Sequence, residues 1–163
     1  MNKDIVDELL DQWAQARPGA DASSLGVVVR IQMLAKLLHQ RTTRALKAHG
    51  LKPWEYDVLS VLRRQGDPFE LPSTEIAEQA LLTSGAMTTR IDGLEQRGLV
   101  RRRRGRTDRR SMLVRLTPAG LACIDDAIST RLEDADDFLL KMSDDARQEL
   151  ADALRVLMVA SIN

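Results

Sequence analysis

Residues 94–120 read LEQRGLVRRRRGRTDRRSMLVRLTPAG, and they carry the clearest change of pattern in the chain. The first residues of this stretch complete a helix with one apolar face. At Gly98 the apolar residues stop following a helical spacing. Residues 105–108 are typical of a turn, and apolar residues alternate from 112 to 116. The stretch therefore predicts a helix followed by a β-hairpin. Thr117 is then suited to the N-cap position of another helix, and Pro118 to its first turn.

Positive charge is concentrated in the same stretch. The whole chain balances 24 basic against 24 acidic residues, but residues 97–115 hold nine arginines and one acid, Asp108, a net charge of +8. Residues 1–24 and 116–163 are acidic, with net charges of −3 and −6. This distribution is typical of a protein that binds a polyanion through one edge. The use of arginine favours phosphate and minor-groove contacts.

Helical patterns surround the hairpin. Before it they cover residues 4–16, then 25–48 with a stop at Gly50, and then 53–65 with a stop at Gly66. Two shorter helices follow, one capped by Ser73 or Thr74 and one capped by Thr83. The last helix of the chain begins at residues 143–145. This order predicts a mainly α fold with a small β-hairpin wing, a winged helix-turn-helix. It would occupy residues 51–116, with a recognition helix at about 83–97 and a wing at about 99–116.

Composition excludes several classes of protein. A chain of 163 residues needs no disulfide or metal to fold, and its one cysteine, Cys123, fits a reducing compartment. We therefore expect a cytoplasmic protein without a signal peptide or a membrane contact. His39 and His49 lack a ligand pattern, so no metal is expected. Without a nucleophile motif or a phosphate loop, we expect no enzyme and no cofactor.

The recognition helix and the wing supply the candidate contacts to double-stranded DNA. A helix can enter a major groove about 12 Å wide, and small polar residues approach base edges without clash. The candidates are Ser84, Thr88 and Thr89 on the helix and Arg103, Arg106, Asp108, Arg109 and Arg110 in the wing. The alternative is that the hydroxyl residues are surface positions and the arginines a solvated face.

Both chain ends carry wide apolar stripes outside the winged helix. Residues 1–50 and 117–163 are predicted to form a helical dimerisation region, because one recognition helix reads only a few base pairs and a twofold dimer doubles the site. The alternative is that these helices pack on one another within a monomer.

The chain resembles the MarR family of winged-helix transcription factors across roughly residues 26–160. The most specific matches are residues 94–100, 108–110 and 114–120. The resemblance implies a homodimer that binds a pseudo-palindromic operator as a regulator, with Arg110 entering the minor groove. Gly93 departs from the family pattern, because it lies inside the recognition helix where relatives often carry a larger polar residue.

A narrower resemblance concerns the urate-responsive branch of that family. It implies a ligand site built from Trp13, Asp57, Arg90 and Arg102. Urate is a flat anion, which tryptophan can cover and arginine can bind through a planar donor fork. Under this hypothesis the ligand repels Asp57, attracts Arg90 and moves the recognition helix out of its groove. Xanthine is a related candidate.

Three alternatives remain open at this point. Trp13 could be a core residue and Asp57 an ion-pair partner of Arg90. The ligand could be a phenolic or salicylate-like compound. The protein could also be an architectural DNA-binding protein without an inducer. The expected function is a homodimeric repressor that a small planar anion, such as urate, releases from its operator.

Overall fold

A computed structural model describes residues 3–80, 84–104 and 112–162, with only the backbone for residues 84–86 and 162. Its elements are, in chain order, α1 (Ile5–Ala16), α2 (Ser23–Lys47), α3 (Pro53–Arg64), β1 (Glu70–Pro72), α4 (Ser73–Gln79), α5 (Ser84–Gln96), β2 (Val100–Arg104), β3 (Met112–Leu116), α6 (Pro118–Leu139) and α7 (Asp144–Ile162). The chain divides into two compact units, Met1–Arg44 and Ala45–Asn163.

The first unit is organised around Asp4. Its carboxylate caps α1 by accepting hydrogen bonds from the backbone N–H groups of Val6 and Asp7, at 2.8 and 3.0 Å. Arg30 of α2 donates to the Asp4 carboxylate at 2.9 Å and to that of Asp7 at 2.7 Å. The hydrogen bonds from Arg30 lower the pKa of Asp4 to about 2. The predicted first helix is confirmed.

The core of the second unit joins α3, α4, α5, α6 and the sheet. Its largest fully buried side chains are Leu46, Val58, Leu59, Val61, Leu62, Ile76, Met87, Ile91, Leu94, Val100, Val114 and Ile124. They recur at helical spacing on α3 and α5, and on β3 Val114 and Leu116 are buried at alternate positions, so each of these elements buries one face. This core holds α5, the predicted recognition helix, and the strands of the predicted wing in one body.

Glycines end the helices where the sequence predicted. Gly50, Gly66 and Gly98 adopt φ values of +63°, +71° and +69°, in the left-handed region that favours glycine. After Gly98, the N–H of Leu99 donates to the carbonyl of Leu94 at 3.0 Å and closes the end of α5. The N-cap role of Thr117 is also confirmed, because its side chain accepts the Gly120 N–H at 3.0 Å.

The sheet contains one strand that the sequence pattern did not predict. Its order is β1-β3-β2, and both pairings are antiparallel. β1 comprises only Glu70–Pro72, too few residues to show an alternating pattern. The predicted cap of the short helix was wrong, because Pro72 occupies the N-cap position of α4 and makes no side-chain cap. The predicted cap at Thr83 lies outside the described residues.

Large apolar side chains remain exposed on the two long helices α2 and α7. On α2 they include Ile31, Leu34 and Leu38, which are 39–45% exposed. On α7 they include Leu154 and Leu157, which are 40% and 48% exposed. Exposed apolar stripes of this length mark surfaces that a partner covers.

Candidate nucleic-acid interface and ligand site

The recognition helix α5 has one buried face and one open face. Met87, Ile91 and Leu94 are buried, while Thr88 and Thr89 are exposed. The spacing of the buried residues anchors the helix by one side, so the two hydroxyl side chains face solvent. Ser84 begins the helix, and its side chain lies outside the described residues.

Arg102 ties the wing to the recognition helix. Its backbone N–H and one guanidinium nitrogen each donate to the Glu95 carboxylate at 2.8 Å. The other terminal nitrogen lies 2.5 Å from the Asp92 carboxylate and donates to the Thr88 carbonyl at 3.3 Å. Arg102 therefore couples β2 to α5 through four contacts. Sequence reasoning missed Asp92 and Glu95, whose i, i+3 spacing places both on one side of the helix.

The arginines of β2 differ in their environments. Arg103 forms an ion pair with Glu70 of β1, a carboxylate that is only 12% exposed. Arg101 and Arg104 are exposed and form no ion pair with any residue that the structure describes. Arg101 lies opposite Arg115 of β3. The solvent face of the sheet therefore carries an excess of positive charge, which is suited to phosphate oxygens.

The tip of the wing is not described. Four of the predicted DNA contacts, Arg106, Asp108, Arg109 and Arg110, lie outside the described residues. They stay predictions, as do the contacts of the helix residues and of Arg103.

Glu55 is a buried carboxylate that sequence reasoning did not single out. It is 4% exposed, accepts the Lys52 N–H at 2.8 Å and pairs with Arg97 at 2.6 Å. Arg97 also donates to the Gly50 carbonyl at 3.0 Å. These bonds fix the end of α5 against the start of α3. A glutamate three residues after an N-cap position was the available signal.

Asp57 opens onto a cavity of about 280 Å³ between α3 and α4. The cavity is lined by Asp57, Ser60, Val61 and Arg64 of α3, by Gln79 of α4 and by Ala80. Burial raises the pKa of Asp57, although the charges of Arg90, Arg131 and Arg64 oppose the shift. Its carboxylate forms no hydrogen bond or ion pair within the described part of the chain.

The other predicted ligand residues have separate surroundings. The Arg90 guanidinium lies 5.2 Å from the ring centroid of Trp54, in a cation–π contact. The alternative of an Asp57–Arg90 ion pair is not observed among the described residues. Trp13 lies on α1 in the first unit and is 43% exposed, which does not fit a core residue.

Among the residues that the structure describes, no helix is both long and apolar enough to cross a membrane. Among them, too, no three His, Cys, Asp or Glu side chains are placed to hold a metal ion. The His49 ring nitrogen Nε2 instead forms a 2.8 Å hydrogen bond with the Thr130 hydroxyl.

The short helix α4, the helix α5 and the three-stranded sheet define a winged helix-turn-helix protein. Residues 49–111 match the model of the MarR family. The regulator PecS of Dickeya dadantii is 28% identical over 89% of this chain and 87% of its own length. The curated relatives are named as transcriptional regulators or repressors. Over residues 49–111 the chain is therefore similar to the MarR family.

Solved structures share the fold. The MarR-family regulator AbsC of Streptomyces coelicolor superposes with a TM-score of 0.76 at 20% identity, and covers 88% of this chain and 97% of its own. BpsR of Bordetella bronchiseptica, whose DNA binding is regulated by 6-hydroxynicotinic acid, gives a TM-score of 0.71 at 19% identity, over 86% and 97% of the two chains. The predicted fold class is confirmed.

Proposed function

We propose that this protein is a homodimeric, sequence-specific DNA-binding repressor that a small planar anion releases from its operator. One observation carries the proposal. Arg102 joins the recognition helix, with its exposed Thr88 and Thr89, to a strand whose exposed arginines 101 and 104 form no ion pair with a described residue. A base-reading element and a phosphate-binding element are thereby held in one rigid arrangement.

On DNA, α5 enters the major groove and the wing follows the flanking backbone. Ser84, Thr88 and Thr89 approach base edges, while the wing arginines neutralise phosphates and Arg110 enters the minor groove. Arg103 reaches the backbone from a strand position braced by Glu70.

The dimer is assigned to the helical regions 1–50 and 117–163. The exposed apolar residues of α2 and α7 support this assignment, because water-exposed stripes of leucine are stabilised when a second copy covers them. Two copies present two recognition helices, which read half-sites about one helical turn apart.

The inducer is assigned to the class of urate and related purines. The Asp57 cavity and the nearby Arg90 support a site for a charged planar molecule, and a protein of the same fold responds to 6-hydroxynicotinic acid. Trp13, Asp57, Arg90 and Arg102 are the proposed ligand residues. An anion that draws Arg102 away from Asp92 and Glu95 would loosen the wing from the recognition helix. The second candidate class is phenolic or salicylate-like compounds.

The first test is a ligand titration on DNA. Urate, xanthine, salicylate and 6-hydroxynicotinate are added at fixed salt to the protein bound to its own upstream intergenic DNA. Anisotropy of labelled DNA reports release, and tryptophan fluorescence reports ligand binding. Release by urate or xanthine with quenching supports the proposal. Release by salicylate alone would move the inducer to the phenolic class.

The wing is tested separately with Arg110→Ala. This variant should lose about tenfold or more in operator affinity, and the slope of log K against log salt should fall by about one, because one phosphate-proximal charge is removed. Lys141→Ala, an exposed cation between α6 and α7, is the control for charge alone. Equal affinities of the two variants would remove Arg110 from the mechanism. A steep salt slope without sequence preference in the wild type would indicate an architectural protein instead.

A further inference from the structure

Three sides of the helix α5 are occupied by other parts of the chain. The side that faces the core carries three buried apolar residues, Met87, Ile91 and Leu94. One flank is held by Arg102 of β2, which forms ion pairs with Asp92 and Glu95. On the other flank, Arg90 makes its cation–π contact with Trp54 of α3. The fourth side is therefore the one that can meet a partner.

The fourth side of α5 presents a line formed by Thr89, Gly93 and Gln96. These residues are four and then three positions apart, so they follow one another along the helix, opposite the buried residues. Thr89 and Gln96 are exposed. Both carry groups that form hydrogen bonds with base edges, and the amide of glutamine is suited to adenine in the major groove. The line thus has a polar group at each end and no side chain in the middle.

The folded subunit itself gives no reason for a glycine at position 93. Gly93 lies inside α5 and is not among the glycines with a positive φ. A Cβ atom built there meets no described atom within 4 Å, the helix backbone aside. Glycine is also among the least favourable residues in the interior of a helix. The missing side chain therefore matters for what lies outside the subunit, which for a recognition helix is DNA.

We infer that Gly93 sets the depth at which α5 lies in the major groove, so that Thr89 and Gln96 on either side of it reach base edges. The inference rests on the DNA-binding function proposed above. A helix with its side chains is about 10–12 Å across and the groove is about 12 Å wide, so the clearance is small. A side chain at position 93 meets the DNA first and holds the helix away from the bases. Gly93 and Gln96 are thereby specificity-determining residues, in addition to Ser84, Thr88 and Thr89.

Variants of increasing size at position 93 test this inference. Anisotropy at fixed salt compares labelled upstream intergenic DNA with a scrambled duplex of the same length and composition. Gly93→Ala should weaken binding to the upstream DNA by about fivefold and Gly93→Met by about tenfold or more, because base contacts are lost. Affinity for the scrambled duplex should be unchanged, since non-specific binding depends on phosphate contacts. Equal or higher thermal midpoints confirm that both variants are folded.

Gln96 is tested in the same assay. Gln96→Ala should weaken binding to the upstream DNA by about fivefold or more, because one base contact is lost, and should leave binding to the scrambled duplex unchanged. Gln148→Ala makes the same change at an exposed position of α7 and should bind both duplexes as the wild type does.

The outcomes separate this inference from the proposed function. If the wild type prefers its upstream DNA and both Gly93 variants bind it equally well, Gly93 does not set the depth of the helix, and the repressor function stands. An equal loss of affinity for both duplexes would also overturn the inference, because the substitution would then act on phosphate contacts. A Gln96→Ala variant with normal affinity would remove Gln96 from base recognition. If the wild type does not distinguish the two duplexes, the inference and sequence-specific binding both fail.

Discussion

At the scale of the residue, close approach and charge pairing determine what each position tolerates. Gly120 lies in the first turn of α6, directly against the backbone that enters β2. A Cβ atom there would lie 1.9 Å from the Leu99 carbonyl oxygen, a backbone atom that cannot turn away. Thr117, the N-cap of α6, donates to the Gly98 carbonyl at 2.7 Å beside it. Small size at Gly120 is therefore a packing requirement.

Gly120→Ala should destabilise the protein by about 2 kcal/mol or more, because α6 must move away from the strand to admit one methyl group. Urea unfolding of the variant against the wild type measures the change. The matched control is Gly93→Ala, since no atom outside the helix backbone lies within 4 Å of a Cβ built there. Equal stabilities of the two alanine variants would show that the contact at Gly120 relaxes freely.

Asp4→Asn should change the response of α1 to acid. The folded-state pKa of Asp4 is about 2, below its ordinary value of 3.8, so its contribution to stability is complete above pH 4 and is lost as the pH falls towards 2. The stability difference between wild type and variant should therefore shrink over this interval. Circular dichroism during denaturant titrations at successive pH values measures it.

At the scale of the element, the residues of α5 by themselves favour a helix only weakly. Its 13 residues include Gly93 in the interior, and glycine costs about 1 kcal/mol relative to alanine there. Tertiary contacts stabilise the helix instead. Three of its apolar residues are buried, and Arg102 of β2 forms ion pairs with Asp92 and Glu95. A recognition helix stabilised mainly by its neighbours responds to changes in those neighbours.

Gly93→Ala should stabilise the folded protein by about 0.5–1 kcal/mol, because the added methyl group meets open space and the unfolded chain loses freedom. Thermal unfolding followed at 222 nm measures the increase in Tm. A lower Tm would mean that the backbone at this position departs from the helical conformation that alanine favours.

At the scale of the whole molecule, the folded chain still exposes large apolar side chains. On α7, Leu154 and Leu157 are exposed at 40% and 48%, and Val156 and Met158 even more. A surface of this kind is expected in a subunit that pairs, as the proposed dimer requires. Operator affinity then depends on α7, although α7 contributes no predicted contact to DNA.

Leu157→Glu should convert the dimer to a monomer while the subunit stays folded, because the side chain is already exposed within the chain. Light scattering after size exclusion measures the mass, and anisotropy should show a loss of operator affinity of at least tenfold. Gln148→Glu places the same charge on the polar side of α7, where Gln148 donates to Asp152 at 3.2 Å, and should remain dimeric. A dimeric Leu157→Glu variant would assign the interface to other residues.

The order of most helices and strands could be predicted from the sequence, because short-range signals mark where each begins and ends. Helical periodicity predicted the helices, glycines at 50, 66 and 98 predicted their ends, and Thr117-Pro118 predicted the start of α6, because these signals act within one or two turns. The arginine concentration likewise predicted a polyanion-binding edge.

The pairing of those charges and the cavity beside Asp57, in contrast, depend on how distant parts of the chain pack together. The short strand β1 pairs with β3, and Glu70 of β1 meets Arg103 of β2 across β3. Asp57 and Gln79 line one cavity because α3 and α4 pack together. Partners distant in the chain are set by packing in three dimensions, which no local sequence pattern encodes.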